Sequence, residues 1–439
     1  MAVESVTEVL EGELGHGRFI VLPGEKMGVF QVYHSRIVED AEVWAIDLDT
    51  GETEFLTAGN TPSYASTGHL LFATPDGVLM AVPIDPGSAE LTGPAVPVAE
   101  GLTISPLGYA NYSVSESGTL IYLSGGAGDA RGLEAVWVTR SGDAAPVDPG
   151  WRFSLTLDFG LRLSPSGAQL AFTHVVEGNT DIWIKQLPDG PLERLTFDDD
   201  VETNPGWTSD GQFVTYVGGQ VGAYDAWRRR ADGRGEAELL LDDERSLSQL
   251  RWSSDGEWMV FRAGAMEGPS GEHDIVGFRP GIDSVAIPLI ATAQFSELDP
   301  ALSPDGRWLA YTSDVTGRYE VYVSPFPNVD STRVSVSTNG GLGPLWAHSG
   351  RELFFVDANQ RLVAAEIETT SGFTVLRSET LFALTEYFVV RGADFYDIAP
   401  DDQRFLMLRL SGGLGGSQDT RFILVTNWFE ELRERMGSN

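Results

Sequence analysis

At 439 residues the chain can bury a sizeable core, with 42% hydrophobic residues to fill it and 50 glycines and 23 prolines to punctuate its turns. Asp and Glu outnumber Lys and Arg 64 to 29, a net charge of −35. That balance excludes nucleic acid as a partner, because such binding needs a cationic footprint, and it disfavours anionic membrane surfaces for the same reason. The acidity serves solubility, or else the recruitment of cations and basic ligands.

There is no cysteine, so disulfides, thiolate zinc sites and thiol nucleophiles are excluded. No run of 18 apolar residues occurs, so no segment reads as a membrane-inserted helix. The opening Met1-Ala-Val-Glu-Ser-Val-Thr-Glu lacks the basic and apolar regions of a signal peptide.

In chain order, Val6-Thr-Glu-Val-Leu10 reads as an isolated strand. A repeat follows, each time a tight polar turn and then a short aromatic-ended apolar strand. Its turns are Pro23-Gly24, Thr67-Gly68, Ser117-Gly118, Ser166-Gly167, Asp210-Gly211, Asp255-Gly256, Asp305-Gly306, Ser349-Gly350 and a degenerate Asp401-Asp402. From Gly68 to Gly350 successive glycines are 44 to 50 residues apart. A period in the forties with one such turn per unit predicts an all-β fold, a β-propeller of four-stranded antiparallel blades.

The seventh unit shows the pattern: Pro300–Pro304, Trp308–Tyr311, Glu320–Ser324 and Thr332–Val336 are its four strands. Units start near Arg18, Pro62, Tyr112, Leu161, Asn204, Leu250, Pro300, Gly343 and Tyr396, which counts nine blades, with eight as the alternative. The last unit shows only three strands, so the N-terminal strand 6–10 is expected to complete it and close the ring. No linker interrupts the array, so 1–439 reads as a single domain, with blades over 18–426. The tail 427–436 spaces Trp428, Leu432 and Met436 four apart, predicting one short amphipathic helix.

Two aromatic stripes recur. Second strands carry Phe72, Tyr122, Phe172, Tyr216, Phe261, Tyr311 and Phe355, and third strands carry Trp44, Trp137, Trp183, Trp227 and Tyr322. Both read as packing between blades rather than as a binding surface.

Candidate chemistry is sought on the face where the connections into first strands crowd the central channel. That set offers Asn111, Asp158, Glu202, Asn204, Glu297, Asp299 and Asp394 as ligand-binding residues. His16, His34, His174 and His273 fall on the same face and, with Glu202 and Asp299, make a candidate divalent-metal set, while His69 and His348 lie in turns on the other. Carboxylates, carbonyls and Asn suit Ca²⁺, and histidines admit a softer divalent ion. The competing reading is structural: acids before first and third strands cap turns and bond backbone amides.

The Gly-rich stretches 125–132 and 263–271 read as rim loops, either insertions or binding loops. The basic triplet Arg228-Arg-Arg230 reads as an internal partner for acids. Gly-x-Ser-x-Gly, His-Glu-x-x-His and the phosphate-binding loop are all absent, which sets a peptidase reading aside.

Leu302-Ser-Pro-Asp-Gly-Arg-Trp-Leu-Ala-Tyr311, Trp252-Ser-Ser-Asp-Gly256 and Trp207-Thr-Ser-Asp-Gly211 resemble the WD40-like (PD40, TolB-type) propeller repeat. Gly317–Pro327, Gly340–Phe355, Tyr396–Met407 and the closing Asn427-Trp-Phe-Glu-Glu-Leu432 resemble more closely the sensor propeller C-terminal to bacterial membrane-anchored serine/threonine protein kinases. The resemblance covers essentially the whole chain. It implies a sensor or interaction module for a protein or small-molecule ligand, extracytoplasmic and coupled to a kinase domain encoded upstream. Outside that context a soluble cytoplasmic protein is expected.

No kinase motif lies in this chain, since Asp394-Phe395-Tyr396 only approximates Asp-Phe-Gly at a blade start. The alternative function is a metal-dependent hydrolase (lactonase-, esterase- or phosphotriesterase-like) or lyase that uses the acidic channel.

Overall fold

In a computed structural model the described residues are 7, 15–33, 41–104, 109–124, 133–153, 160–176, 179–220, 223–264, 273–292, 294–370, 372–410 and 421–436. The predicted turns are built as the sequence suggests. In the seventh, Gly306 sits at φ +68°, the Ser303 hydroxyl donates to Asp305 Oδ1 at 2.6 Å, and the Arg307 and Trp308 amides are bound by Asp305 and Ser303 at 3.1 and 3.0 Å. Thr208 and Asp210 repeat the arrangement around Gly211. Only glycine enters that left-handed turn position without strain.

Nine antiparallel sheets result, eight of four strands and one of three among the described residues. The first joins β1 (Gly15–Val21), β2 (Met27–Tyr33), β3 (Glu42–Asp47) and β4 (Thr53–Ala58). The second joins β5 (Asn60–Ala65), β6 (His69–Ala73), β7 (Leu79–Pro83) and β8 (Val96–Ala99).

The next four strands, β9 (Tyr112–Val114), β10 (Leu120–Ser124), β11 (Leu133–Thr139) and β12 (Ala144–Pro146), do not form one sheet, as treated below. Regular sheets resume with β13 (Leu161–Leu163), β14 (Gln169–Val176), β15 (Asn179–Gln186) and β16 (Leu192–Arg194). They continue with β17 (Val201–Trp207), β18 (Phe213–Gln220), β19 (Ala223–Arg230) and β20 (Glu238–Leu241). Next come β21 (Leu247–Trp252), β22 (Met259–Ala263), β23 (Asp274–Phe278) and β24 (Ile287–Ile290), then β25 (Glu297–Leu302), β26 (Trp308–Ser313), β27 (Glu320–Pro325) and β28 (Val334–Ser335). The last regular set is β29 (Leu342–Trp346), β30 (Glu352–Val356), β31 (Arg361–Glu368) and β32 (Thr374–Ala383). The chain ends with β33 (Tyr396–Ile398), β34 (Arg404–Leu410), β35 (Arg421–Val425) and α1 (Trp428–Met436).

The third and last repeats exchange their outer strands. β9 and β10 take β35 as their third strand, while β33 and β34 are completed by β11 and β12. The ninth sheet is therefore closed by 133–146, whereas the sequence assigns that role to 6–10, of which only Thr7 is described. A repeat-by-repeat reading cannot see this, because strand order along the chain stays regular while partners change. The single array expected from the repeats divides into two compact units: 1–131 with 154–157 and 415–439, and 132–153 with 158–414.

The larger unit is a cycle of six sheets. Apolar clusters join each sheet to the next, from Ile182–Tyr216 through Tyr224–Phe261, Ile275–Tyr311 and Val323–Phe355 to Phe354–Phe405. The cycle closes where Gly160 bridges Asp394 and the Leu163 amide donates to Asp397 Oδ2 at 2.8 Å. The predicted aromatic stripes are this packing: Phe172 opposes Trp183, Tyr216 opposes Trp227, and Tyr311 opposes Tyr322 across neighbouring strands.

The smaller unit holds the first two sheets, the three-stranded β9–β10–β35 sheet and α1. The predicted helix is present, with Trp428 and Leu432 buried in the cluster that joins β5–β8 to β9–β10. Among the described residues no helix is long and apolar enough to cross a membrane.

Candidate functional site

The innermost strands set the site. In β17, β21, β25 and β29 the pairing register shifts by a bulge, and one residue within it turns to positive φ: Asn204 (+51°), Gln249 (+55°), Asp299 (+55°) and Gly343 (+61°). A bulge re-aims a side chain at the cost of local strain, which the surrounding sheet must hold.

Three of these positions link sheet to sheet. Gln249 Nε2 donates to Asp299 Oδ1 at 2.8 Å, and the Asp299 amide returns a bond to Gln249 Oε1 at 3.1 Å. Asp299 Oδ2 in turn accepts from Thr312 Oγ1 at 2.9 Å and from the Gly343 amide at 3.1 Å. The Tyr396 hydroxyl donates to the Gly343 carbonyl at 2.7 Å. Both carboxylate oxygens of Asp299 are therefore occupied by the protein itself.

Beside this chain of bonds lies a charged hub. Asp394 Oδ1 accepts from Arg162 Nη2 at 2.8 Å and from Arg251 Nη2. Arg162 also reaches the Tyr396 carbonyl at 3.3 Å and Asp397 at 3.6 Å, and Arg262 is anchored by Ser248 Oγ at 2.7 Å. Burial opposes the Asp394 charge, yet Arg162, Arg251 and Arg262 outweigh it and hold the carboxyl below its ordinary range. Burial pushes Arg251 and Arg262 down, with Arg162 adding repulsion at Arg251. The remaining space among Arg162, Gln249, Arg251, Asp299, Gly343 and Asp394 is about 20 Å³, the scale of one water.

This centre differs from the acidic ring expected. Of the predicted ligand-binding residues, Asp299 and Asp394 come together in it but are neutralised or fully bonded. Asn204 keeps to its own strand, donating to Thr203 Oγ1 at 3.4 Å. Asn111 is exposed in the smaller unit, and Asp158 lies outside the described residues.

Glu202 and Glu297 occupy corresponding places, two residues before the bulge, each about 2% exposed. Burial, reinforced by Asp181 and Asp198, pushes Glu202 up to about 9. Burial, reinforced by Asp274 and Asp314, pushes Glu297 up to about 7. Glu202 Oε2 and Asp181 Oδ2 are both buried without a hydrogen-bond donor, and burial raises the Asp181 carboxyl as well.

The histidines do not converge. His16 lies in the smaller unit, edge-on to Phe30 at 4.9 Å, and His34 is outside the described residues. His174 packs between Phe172 and Trp183, and burial lowers its pKa. His273 is buried 3.4 Å from Ser296 Oγ. Among the described residues no three His, Asp or Glu side chains stand together as a metal would require.

Sequence reading missed Arg162, Arg251 and Arg262. Their signal was faint: a lone arginine inside an apolar strand, as in Leu161-Arg162-Leu163, Leu250-Arg251-Trp252 and Phe261-Arg262-Ala263. The Arg228–Arg230 triplet is used internally, with Arg228 paired to Glu238, Arg230 to Asp232 and Arg229 over Phe197.

No family model matches the sequence. The uncharacterized protein Atu1656 of Agrobacterium fabrum is 26% identical over 236 residues, 49% of this chain and 75% of that one. The uncharacterized peptidase YuxL of Bacillus subtilis is 24% identical over 168 residues, 31% of this chain, and the match spans only 25% of its length. Among solved structures, a TolB-type protein of Agrobacterium tumefaciens superposes with a TM-score of 0.49 at 19% identity, over 64% of this chain and 98% of its own. A gluconolactonase of Xanthomonas campestris superposes at 0.40 and 14% identity, over 57% and 85%.

Repeated four-stranded antiparallel sheets, six of them packed in a cycle, agree with the sequence repeat. The chain's fold is that of a β-propeller. As a propeller it supplies a rigid platform, and its chemistry rests on the side chains described above rather than on the fold.

Proposed function

We propose that this propeller is a non-catalytic binding module for a partner protein or small ligand, of the sensor kind its C-terminal motifs resemble. The observation that carries the reading is the state of its polar centre. Asp394 is clasped by Arg162 and Arg251, and Asp299 is saturated by Gln249, Thr312 and Gly343. A hydrolase or lyase that used this channel would need carboxylates free to hold a metal or take a proton, together with room for a substrate. Here Asp299 and Asp394 serve to lock sheet to sheet, and the reading places binding on the outer surfaces of the units.

A panel of lactone, ester, phosphotriester and uronate-oligomer substrates, each with added Ca²⁺ or Mn²⁺, tests this. The expected result is turnover no greater than buffer. Turnover that chelation abolishes and that Asp299→Asn removes without loss of fold would replace this reading with the metal-dependent hydrolase.

A further inference from the structure

Two residues beyond the third-strand aromatic, β3, β15 and β19 carry Ile46, Lys185 and Arg229, whereas β27 carries Ser324. Side chains two apart in a strand share a face, so this position lies on the face of Tyr322, which packs against Val260 and Ile275 of the preceding sheet. Where those other strands present a long side chain, β27 presents a hydroxymethyl group. A cavity of about 270 Å³ lies there, between Leu289 and Ile290 of β24 on one side and Tyr311, Ser324 and Arg333 on the other. The space at the Asp394 hub, about 20 Å³, suits one water, whereas this one approaches the lower end of small-molecule pockets.

Its polar groups lack partners within the protein. Ser324 is 0% exposed, and its Oγ meets no hydrogen-bond partner. A buried hydroxyl in that state is costly, and a ligand atom can supply the bond. The Arg333 guanidinium lies over the Tyr322 ring at 4.8 Å and pairs with no carboxylate among the described residues. By contrast Arg279, Arg307 and Arg318 of the same two repeats hold Asp283, Asp305 and Glu320. Burial raises the Tyr311 hydroxyl, and Ser324 and Arg333 act against that rise, so the three polar heads share one corner of the cavity.

We propose that this cavity between the β21–β24 and β25–β28 sheets is a binding site for a small organic carboxylate with an apolar body. The planar fork of Arg333 takes the carboxylate, the Ser324 and Tyr311 hydroxyls bond it from within, and Leu289 and Ile290 cover the apolar part. Asp330 also lines the cavity and is exposed, and its negative charge disfavours dianions such as phosphate and leaves a monoanion. The inference rests on the reading of the chain as a binding module and names its ligand class.

Ligand-observed NMR titration of the full chain with benzoate and with hexanoate, repeated on Arg333→Gln and Ser324→Leu, tests the proposal. Benzamide controls for charge and inorganic phosphate for a general anion site. Saturable binding of at least one of the two acids is expected, with no binding of benzamide. Arg333→Gln is expected to weaken it at least about tenfold, as for loss of a charge-assisted pair. Ser324→Leu, which fills the cavity, is expected to abolish it. Arg333 is exposed, so its variant keeps the test decisive should Ser324→Leu fail to fold. Absence of binding by both acids, or equal binding by the parent and Arg333→Gln, would overturn the proposal. So would phosphate binding tighter than either acid. If the substrate panel is inert as well, that failure leaves the binding-module reading standing, whereas chelation-sensitive turnover overturns the reading itself.

Discussion

Asp394 is the residue on which most of the ring's buried charge depends. With Arg162, Arg251 and Arg262 gathered around it, Asp394→Asn leaves buried guanidinium groups without their counter-charge. Breaking a buried ion pair from one side costs about 3–5 kcal/mol, so a fall of that size is expected in urea unfolding of the variant. Its carboxyl is held below the ordinary range when folded. Its contribution is therefore present above the ordinary aspartate value and is lost as pH falls through the folded one.

Glu202 has the opposite sign. The fold prefers it protonated, so stability is full below the ordinary glutamate value and declines as pH climbs from 4.5 towards about 9. Glu202→Gln should flatten that decline, so that its melting temperature exceeds the parent's at alkaline pH and matches it in acid. A variant that melts lower than the parent at alkaline pH and equally in acid would show that Glu202 is needed as an ion. Glu202, Glu297, Asp299 and Asp394 could be named from the repeat, because acids ahead of first strands recur in it. The charge state of Asp394 could not, since it depends on arginines from other sheets, nor could those of Glu202 and Glu297, which follow from burial beside other acids.

At the scale of elements, the turn chemistry and the helix were plain in the chain because both are local. Ser303-Pro-Asp-Gly306 fixes its turn with its own side chains, and Trp428, Leu432 and Met436 follow a helical period. Asp305→Ala removes the acceptor for the Ser303 hydroxyl and the Arg307 amide and should cost about 1 kcal/mol. Trp428 is fully buried between α1 and the β5–β8 and β9–β10 sheets, so Trp428→Ala should cost about 3–5 kcal/mol, read as a drop in melting temperature. The partner of each outer strand could not be read locally. β11 and β35 are apolar strands that would satisfy either sheet, and the choice is made by long-range strand pairing such as Glu134 opposite Arg409 and Tyr122 opposite Ile423.

For the whole molecule, the number of sheets was legible from the 44-to-50-residue period, while the division into two units was not. The chain passes between them at 131/132, 153/154, 157/158 and 414/415, and the first and last of these fall in 125–132 and 411–420, segments of four glycines each where sequence offers only a loop signature. Because the larger unit closes its own cycle with β11 and β12, a fragment spanning 133–410 is expected to unfold in a single cooperative transition of its own, followed by circular dichroism.

The central claim is that Asp299 and Asp394 are spent on the ring's own architecture rather than on a divalent ion. Isothermal titration of the intact protein with Ca²⁺ and with Mn²⁺ tests it most directly. No stoichiometric binding to the parent or to Asp299→Asn is predicted. A one-to-one site in the parent that disappears in Asp299→Asn would contradict it.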